Sequence, residues 1–216
     1  MVRVEGLDVS IGAVSILRNV NMELPPARFT GLVGRNGAGK TTLMRAIMGI
    51  LPARNGSIHF QSKTLDTLAT HLRARAGIGY MPEDRRLVPH LTVEENVLMP
   101  VWAAGHSDTS ARLAKVYEMI PEVEAFASRK AVMLSGGQQK LVALARALMC
   151  GTQVLLLDEP FEGVAPVLAR RLAEVISGLK QEGLSILLTE SDLSHSKELL
   201  DSLYIIDRGE VRAGTL

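Results

Sequence analysis

The chain has 216 residues and an almost balanced charge, with 24 Lys and Arg against 23 Asp and Glu. This length is sufficient for one domain with a buried core, whereas a net charge of +1 and an aromatic content of 4% argue against a nucleic-acid-binding surface. The single cysteine, Cys150, excludes a disulfide within the chain and a cysteine metal cluster, and it indicates a reducing compartment.

The N-terminal part of the chain is rich in strand patterns. Residues 2–10 and 20–24 alternate apolar and polar side chains, which is typical of strands with one buried face. The pair Asn55-Gly56 predicts a turn, and a further strand is predicted at 57–60. These segments predict a strand-rich layer.

A glycine-rich loop with the pattern G-x-x-x-x-G-K-[ST] lies between an apolar strand at 29–33 and a predicted helix at 43–48. Its residues are Gly34, Arg35, Asn36, Gly37, Ala38, Gly39, Lys40, Thr41 and Thr42. The glycines allow backbone N–H groups to approach a phosphate closely, and the start of the helix adds partial positive charge. Lys40 can reach the β- and γ-phosphates, and the Thr41 hydroxyl suits Mg²⁺, so the loop predicts a nucleoside-triphosphate site.

The middle of the chain changes to helical patterns. A short helix at 70–75 and a strand at 77–81 precede a polar loop at 82–86. Thr92 and Glu95 have the spacing of a capping box, which predicts that a helix begins there. Helical spacing continues to about residue 129, and the segment is predicted to be a helical insertion.

The last third of the chain alternates helices and strands. Helices are predicted at 139–149 and 167–179, and strands at 154–157, 185–188 and 203–206. The wholly apolar run at 154–157 is typical of a parallel strand buried on both faces. The alternation predicts an α/β fold with a parallel sheet wrapped by helices.

Two carboxylates follow the apolar strand at 154–157. Ligands of open parallel α/β sheets bind outside the carboxyl ends of the strands, so Asp158 should face the glycine-rich loop. Asp158 can hold Mg²⁺ or its waters, and Glu159 can polarise an attacking water as a general base.

A second anion-receptive helix start is predicted at Ser135, Gly136, Gly137 and Gln138. A single nucleoside triphosphate has only one γ-phosphate, and the loop at 34–42 already accounts for it. The second terminus therefore suggests a site that another copy of the chain completes.

These three segments, in this order, resemble the ATP-binding subunits of ABC transporters, and the resemblance covers essentially the full chain. Residues 82–86, 91–96 and 162–166 are most similar to the branched-chain amino acid importer group. The resemblance implies a P-loop NTPase (RecA-like) parallel sheet core with an N-terminal antiparallel β layer. It also implies a single nucleotide-binding domain at 1–216, into which a helical subdomain at 84–132 is inserted.

The same resemblance implies an ATPase that energises import of amino acids of the branched-chain type, or of a similar small polar solute. ATP and Mg²⁺ are the implied ligands, with Thr41, Asp158 and Glu83 at the metal. Two such subunits, identical or paralogous, form a head-to-tail dimer that places each ATP between the loop at 34–42 of one chain and residues 135–138 of the other.

The implied partners are transmembrane permease subunits, contacted by the helical subdomain, and indirectly a solute-binding protein, but no nucleic acid. The sequence shows no signal peptide and no run of 18 apolar residues. We therefore expect a peripheral protein at the cytoplasmic face of the inner membrane.

Three residues depart from the family pattern, and a fourth is a candidate to replace one of the missing functions. Ile11 lies where the family usually has an aromatic residue that stacks on adenine, and Glu83 lies where many members have glutamine. Ser191 occupies the position of the switch histidine, and it can donate a hydrogen bond to phosphate without the same positive charge. His195, placed one helical turn later, is a candidate substitute, although a solvated helix residue is the alternative interpretation.

Two other functions stay open on the sequence. Ser191 and Ile11 are compatible with a degenerate cassette that binds ATP and regulates with low turnover, whereas intact Lys40, Asp158 and Glu159 oppose it. A soluble ABC ATPase that acts on nucleic acid or translation is opposed by the near-neutral charge and by the lack of a second cassette.

Overall fold

The structure is a computed structural model and describes residues 1–216. The strands are β1 (Val2–Ile11), β2 (Val14–Leu24), β3 (Phe29–Val33), β4 (Asn55–Phe60), β5 (Lys63–Thr64), β6 (Ile78–Met81), β7 (Val154–Asp158), β8 (Ser185–Glu190), β9 (Ser202–Asp207) and β10 (Glu210–Ala213). The helices are α1 (Lys40–Ile47), α2 (Thr70–Arg75), α3 (Val93–Ala104), α4 (Thr109–Met119), α5 (Pro121–Ala125), α6 (Gly136–Leu148) and α7 (Pro166–Gly178). Short 3₁₀ helices lie at Ala131–Met133 and Lys197–Leu199.

A six-stranded sheet in the order β10-β9-β3-β8-β7-β6 forms the centre of the molecule. All neighbours in it are parallel except the antiparallel pair β10 and β9. Every residue of β7 and of β8 is buried, which explains why these strands carry no polar alternation. Because β8 lies between β3 and β7, the carboxyl ends of these three strands meet at one edge of the sheet, as the sequence predicts.

A separate antiparallel sheet in the order β2-β1-β4-β5 forms the N-terminal layer and confirms that prediction. The turn expected at Asn55-Gly56 is wrong, because both residues belong to β4. The β1–β4 ladder is irregular there, and Gly56 has a φ of +81°. A Cβ at Gly56 would lie 2.4 Å from the carbonyl oxygen of Gly6, so the glycine serves a close approach of two strands.

Four helices, α3 to α6, occupy the chain between β6 and β7. The capping box that opens α3 is present, since Thr92 Oγ1 accepts from the Glu95 amide at 3.2 Å and Glu95 Oε2 accepts from the Thr92 amide at 2.7 Å. Buried side chains of α3 and α6, among them Val97 and Leu144, belong to the same core as Leu155 of β7. The helices therefore pack on the sheet, and a subdomain bounded at 84–132 stays a prediction.

The segment after β8 differs from the expected helix. Strand β8 continues to Glu190, and residues 191–196 form turns before the 3₁₀ helix Lys197–Leu199. The carboxylate of Asp192 accepts from the Ser194 amide at 2.8 Å, a local bond that competes with helix formation. His195 therefore does not lie on an α-helix one turn after Ser191.

Candidate functional site

The glycine-rich loop leads from β3 into α1 and leaves a row of backbone amides available. Gly37 and Gly39 have φ values of +81° and +116°, which side chains rarely tolerate. The amides of Gly37 and of the four residues from Gly39 to Thr42 donate to no acceptor of the chain. These N–H groups, at the positive end of a helix, form a cradle suited to phosphate oxygens.

The loop forms one wall of a cavity of about 390 Å³. The lining residues are Ile16, Asn36, Gly37, Gly39, Lys40, Thr41, Thr42, Glu83 and Glu159. The wall is almost entirely polar, and Ile16 is its one hydrophobic residue. The structure thus brings the loop at 34–42 together with two carboxylates that lie far from it in sequence.

Lys40 is buried, with only 5% of its surface exposed. Its ammonium donates to the carbonyl oxygens of Gly34 at 2.5 Å and Arg35 at 3.2 Å. It also forms a salt bridge of 2.8 Å to Oε1 of Glu159. The lysine predicted to bind phosphate is therefore paired with the candidate general base, Glu159.

Asp158 ends β7 with a fully buried carboxylate. Its Oδ1 accepts from the hydroxyls of Thr41 at 3.2 Å and Thr189 at 2.9 Å, and its Oδ2 accepts from the Tyr80 hydroxyl at 3.1 Å. Burial raises the pKa of Asp158 above its ordinary value, although these three hydroxyls act in the opposite direction. Sequence reasoning missed Thr189 and Tyr80, which fix the position of the carboxylate.

The donor set around Asp158 fits Mg²⁺. The Thr41 hydroxyl and the Asp158 carboxylate supply oxygen ligands side by side, and Glu83 lines the same cavity. The chain has no group of three or more His, Cys, Asp or Glu residues that could hold a metal ion alone. This matches the usual Mg²⁺ site in nucleotide enzymes, where one or two carboxylates are completed by phosphate oxygens and water.

Glu159 adopts an uncommon left-handed backbone conformation, with a φ of +50°. Its amide donates to the carbonyl oxygen and to the hydroxyl of Thr189, both at 3.2 Å. The Ser191 hydroxyl lies 3.1 Å and 3.2 Å from the two Glu159 carboxylate oxygens, 2.8 Å from Asn36 Oδ1 and 3.3 Å from Lys40 Nζ. Ser191 is therefore in direct contact with both predicted catalytic groups.

Residues 135–138 form the start of α6 and lie outside the cavity wall. Ser135 Oγ accepts a hydrogen bond from the backbone N–H of Gln138 at 3.3 Å, and the side-chain oxygen Oε1 of Gln138 accepts one from the backbone N–H of Ser135 at 3.0 Å. The two bonds complete a second capping box. The structure does not bring this segment to the loop at 34–42 of the same chain.

Two predicted residues lie away from the cavity. Ile11 pairs with Val14 at the tip of the β1–β2 hairpin, is 49% exposed and does not line the wall, whereas Ile16 does. His195 is exposed, and its ring packs against Phe161 at a centroid distance of 5.9 Å without a hydrogen bond to any cavity residue.

A model of the ABC transporter family matches residues 17–162. The chain belongs to the ABC transporter family. The predicted P-loop NTPase fold is confirmed, and the assignment of the cavity residues to ATP stays a prediction.

The similarity to relatives and to solved structures extends along nearly the whole chain. The chain is 34% identical to BraG, the high-affinity branched-chain amino acid transport ATP-binding protein of Pseudomonas aeruginosa, over 93% of this chain and 86% of that protein. It is 32% identical to the probable branched-chain amino acid transport ATP-binding protein LivF of Archaeoglobus fulgidus, over 98% and 90%. It is 30% identical to the lipopolysaccharide export system ATP-binding protein LptB of Escherichia coli, over 92% and 83%.

Among solved structures, the dimeric post-hydrolysis state of the ATP-binding cassette MJ0796 bound to ADP and Pi superimposes with a TM-score of 0.89 at 25% identity. The match covers 100% of this chain and 99% of that one. The prediction of an ATP-hydrolysing enzyme is thereby confirmed.

Proposed function

We propose that this chain is the ATP-hydrolysing subunit of an ABC importer that takes up amino acids of the branched-chain type, or a similar small polar solute, through a separate permease. The observation that carries this proposal is the 34% identity to BraG, a branched-chain amino acid transport protein, over 93% of this chain. LivF, a second branched-chain amino acid relative, supports the same solute class at 32% identity.

The chemistry proposed for the cavity is hydrolysis of ATP with Mg²⁺. Backbone amides of the loop at 34–42 and the Lys40 ammonium bind the phosphates, while Thr41, Asp158 and Glu83 hold the metal. Mg²⁺ neutralises phosphate charge when it is bound. Glu159 leaves Lys40 when the γ-phosphate takes its place, and its carboxylate then accepts a proton from the attacking water. The water oxygen bonds to the γ-phosphorus as the bond to the oxygen of the β-phosphate breaks, and ADP leaves.

The second half of the ATP site is proposed to come from another ATP-binding subunit. Residues 135–138 start α6 with two glycines and lie apart from the chain's own cavity, which supports a role toward a partner's nucleotide. The similar cassette MJ0796 has been solved as a dimer with ADP and Pi. A head-to-tail dimer accounts for both observations.

Membrane partners follow from the same proposal. No helix in the structure has the length and apolarity that crossing a bilayer requires. We place the subunit at the cytoplasmic face of the inner membrane, with segment 84–132 docked on permease subunits and a solute-binding protein as an indirect partner. Val132, which is 57% exposed, ends that segment, and Met133, which is 71% exposed, directly follows it.

Export is the second candidate function, because LptB, a lipopolysaccharide export protein, is 30% identical over 92% of this chain. A regulatory cassette with low turnover is the third, since Ser191 lacks the charge of a histidine. The contact of Ser191 with Glu159 and Lys40 favours an active site over the regulatory interpretation.

The test is co-purification of the chain with its membrane partners, followed by reconstitution in vesicles with ATP on the subunit's side. We expect ATP-driven movement of leucine, isoleucine or valine toward the ATP side when the co-purified solute-binding protein is supplied, and none with the Glu159→Gln variant. Movement of a lipid away from the ATP side would favour export. Wild-type ATPase activity no higher than that of Glu159→Gln would favour the regulatory function.

A further inference from the structure

Lys140 lies on the second turn of α6 and is buried, with 5% of its surface exposed. Its ammonium donates to three backbone carbonyl oxygens of one short loop: Glu159 at 2.8 Å, Pro160 at 3.1 Å and Glu162 at 2.6 Å. The loop is the segment that directly follows β7 and carries the candidate general base.

The three bonds use the full donor capacity of the group. A lysine ammonium has three N–H donors and no acceptor, and here each donor has one carbonyl partner. No carboxylate lies within salt-bridge distance of Lys140, so its charge is stabilised by these carbonyls. Burying a charge is costly unless it is hydrogen-bonded, and burial lowers the pKa of Lys140.

The loop that Lys140 holds is under backbone constraint. Glu159 has a φ of +50°, a conformation that costs free energy for a residue with a side chain and persists only when its surroundings enforce it. Thr189 holds the Glu159 amide, and Lys140 holds its carbonyl oxygen. The peptide groups on both sides of the candidate base are thus fixed by side chains from β8 and α6.

We propose that Lys140 is a positioning residue for ATP hydrolysis, which fixes the backbone of residues 159–162 so that the Glu159 carboxylate stays directed into the cavity beside Lys40 and Ser191. Lys140 does not itself line the cavity and bonds to the backbone of Glu159 rather than to its carboxylate, so it acts through the loop. Besides Lys140, the Glu159 carbonyl oxygen accepts only from the Glu162 backbone amide at 3.2 Å, a bond within the loop itself. The carbonyl oxygens of Pro160 and Glu162 have no other donor, so without Lys140 the loop is no longer tied to α6 and Glu159 loses its fixed orientation.

Arg73 provides a matched control within the same chain. It is also buried, with 4% exposed, and it too donates to backbone carbonyls, including those of Ala46 and Ile47 at 3.1 Å and 2.8 Å. Its partners lie at the end of α1 away from the cavity. Replacing either residue by Met removes a buried cation and its hydrogen bonds, but only the Lys140 change frees the Glu159 loop.

The experiment compares Lys140→Met, Lys140→Arg and Arg73→Met by kcat, by ATP affinity from calorimetry and by thermal melting. We expect Lys140→Met to lower kcat about tenfold to a hundredfold, as small misplacements of catalytic groups do, with ATP affinity within about threefold of wild type. Lys140→Arg should have a kcat between those of Lys140→Met and wild type. Arg73→Met should have a lower melting temperature, but its kcat, measured at a temperature at which it is folded, should stay near wild type.

Two results would overturn the proposal. One is a Lys140→Met protein, folded at the assay temperature, whose kcat is within twofold of wild type. The other is an equal loss of kcat in Arg73→Met, which would attribute the effect to stability alone. If Lys140→Met does not fold, Lys140→Ala, which also removes the ammonium and all three of its donors, replaces it, and a wild-type kcat in that variant contradicts the proposal equally.

Discussion

Replacing Glu159 by Gln should strengthen ATP binding while it removes hydrolysis. Lys40 and Glu159 form a buried salt bridge of 2.8 Å, and the γ-phosphate competes with Glu159 for the same ammonium. Hydrogen bonds that involve a charged group contribute about 1.5–3 kcal/mol, and we take the Lys40–Glu159 ion pair at the upper end of this range and an ammonium–amide bond at the lower end. The substitution then lowers the cost of releasing Lys40 by about 1.5 kcal/mol, which corresponds to a decrease in the Kd for ATP of about tenfold.

The rate should change in the opposite direction. Loss of a general base lowers turnover by about 10²- to 10⁴-fold, and the amide of Gln accepts no proton from water. Calorimetry with Mg²⁺ and ATP measures the affinity, phosphate release measures the rate, and size-exclusion chromatography with ATP measures the dimer, which we expect to accumulate in the variant.

Glu162→Gln is the matched control, because Glu162 is exposed, lies near enough to Lys40 to interact with its charge, and forms no salt bridge with it. It removes one negative charge without breaking the pair, so its effect on the Kd for ATP should be smaller than that of Glu159→Gln. Unchanged or weaker ATP binding by Glu159→Gln would refute competition for Lys40. Turnover equal to wild type would refute the assignment of Glu159 as the base.

Three further predictions concern the same site. Lys40→Ala should reduce ATP affinity strongly in calorimetry, and unchanged binding would contradict the phosphate-loop assignment. Ser191→Ala should lower kcat because it removes the hydroxyl that contacts Glu159 and Lys40, whereas His195→Ala should leave kcat unchanged. A loss of kcat in His195→Ala with none in Ser191→Ala would instead show that His195 takes the place of the family's switch histidine. Burial, and then the nearby Glu159 carboxylate, raise the pKa of Glu190 to about 8, so the folded state binds its proton more tightly than the unfolded state does. The contribution of Glu190 to the free energy of unfolding is therefore largest below pH 4.5 and is lost as pH rises toward 8. In melting curves recorded across that range, Glu190→Gln should make the melting temperature depend less on pH than it does in the wild type.

Features set by neighbouring residues could be predicted from the sequence. The capping boxes at Thr92 and Ser135 each join a residue to one three positions later, so their geometry follows from spacing alone. The left-handed conformations of Gly37 and Gly39 likewise follow from residue type. The order of strands and helices indicated that the loop at 34–42 and Asp158 share one edge of the sheet.

Features set by pairing register could not be predicted. The family resemblance assigned Ile11 to the adenine end of the cavity, but the β1–β2 ladder contains irregularities near Val9 and Ser10, and such shifts change which face a side chain takes. Ile16, five residues further along, lines the cavity instead. The turn assigned to Asn55-Gly56 failed for a related reason, since the glycine serves a close contact between strands.

Long-range polar contacts were also beyond sequence reasoning, and they decide how the site works. Spacing identified Lys40 and Glu159 separately, but only the fold shows that they neutralise each other at 2.8 Å. In the proposed mechanism, the γ-phosphate displaces the Glu159 carboxylate from Lys40, so arrival of the phosphate and release of the base are a single exchange. Because Ser191 contacts both groups and Lys140 fixes the loop behind Glu159, the exchange takes place between constrained partners. In the proposed mechanism, hydrolysis therefore depends on the phosphate itself freeing Glu159, and its rate depends on how firmly Lys140 and Ser191 hold that carboxylate once it is free.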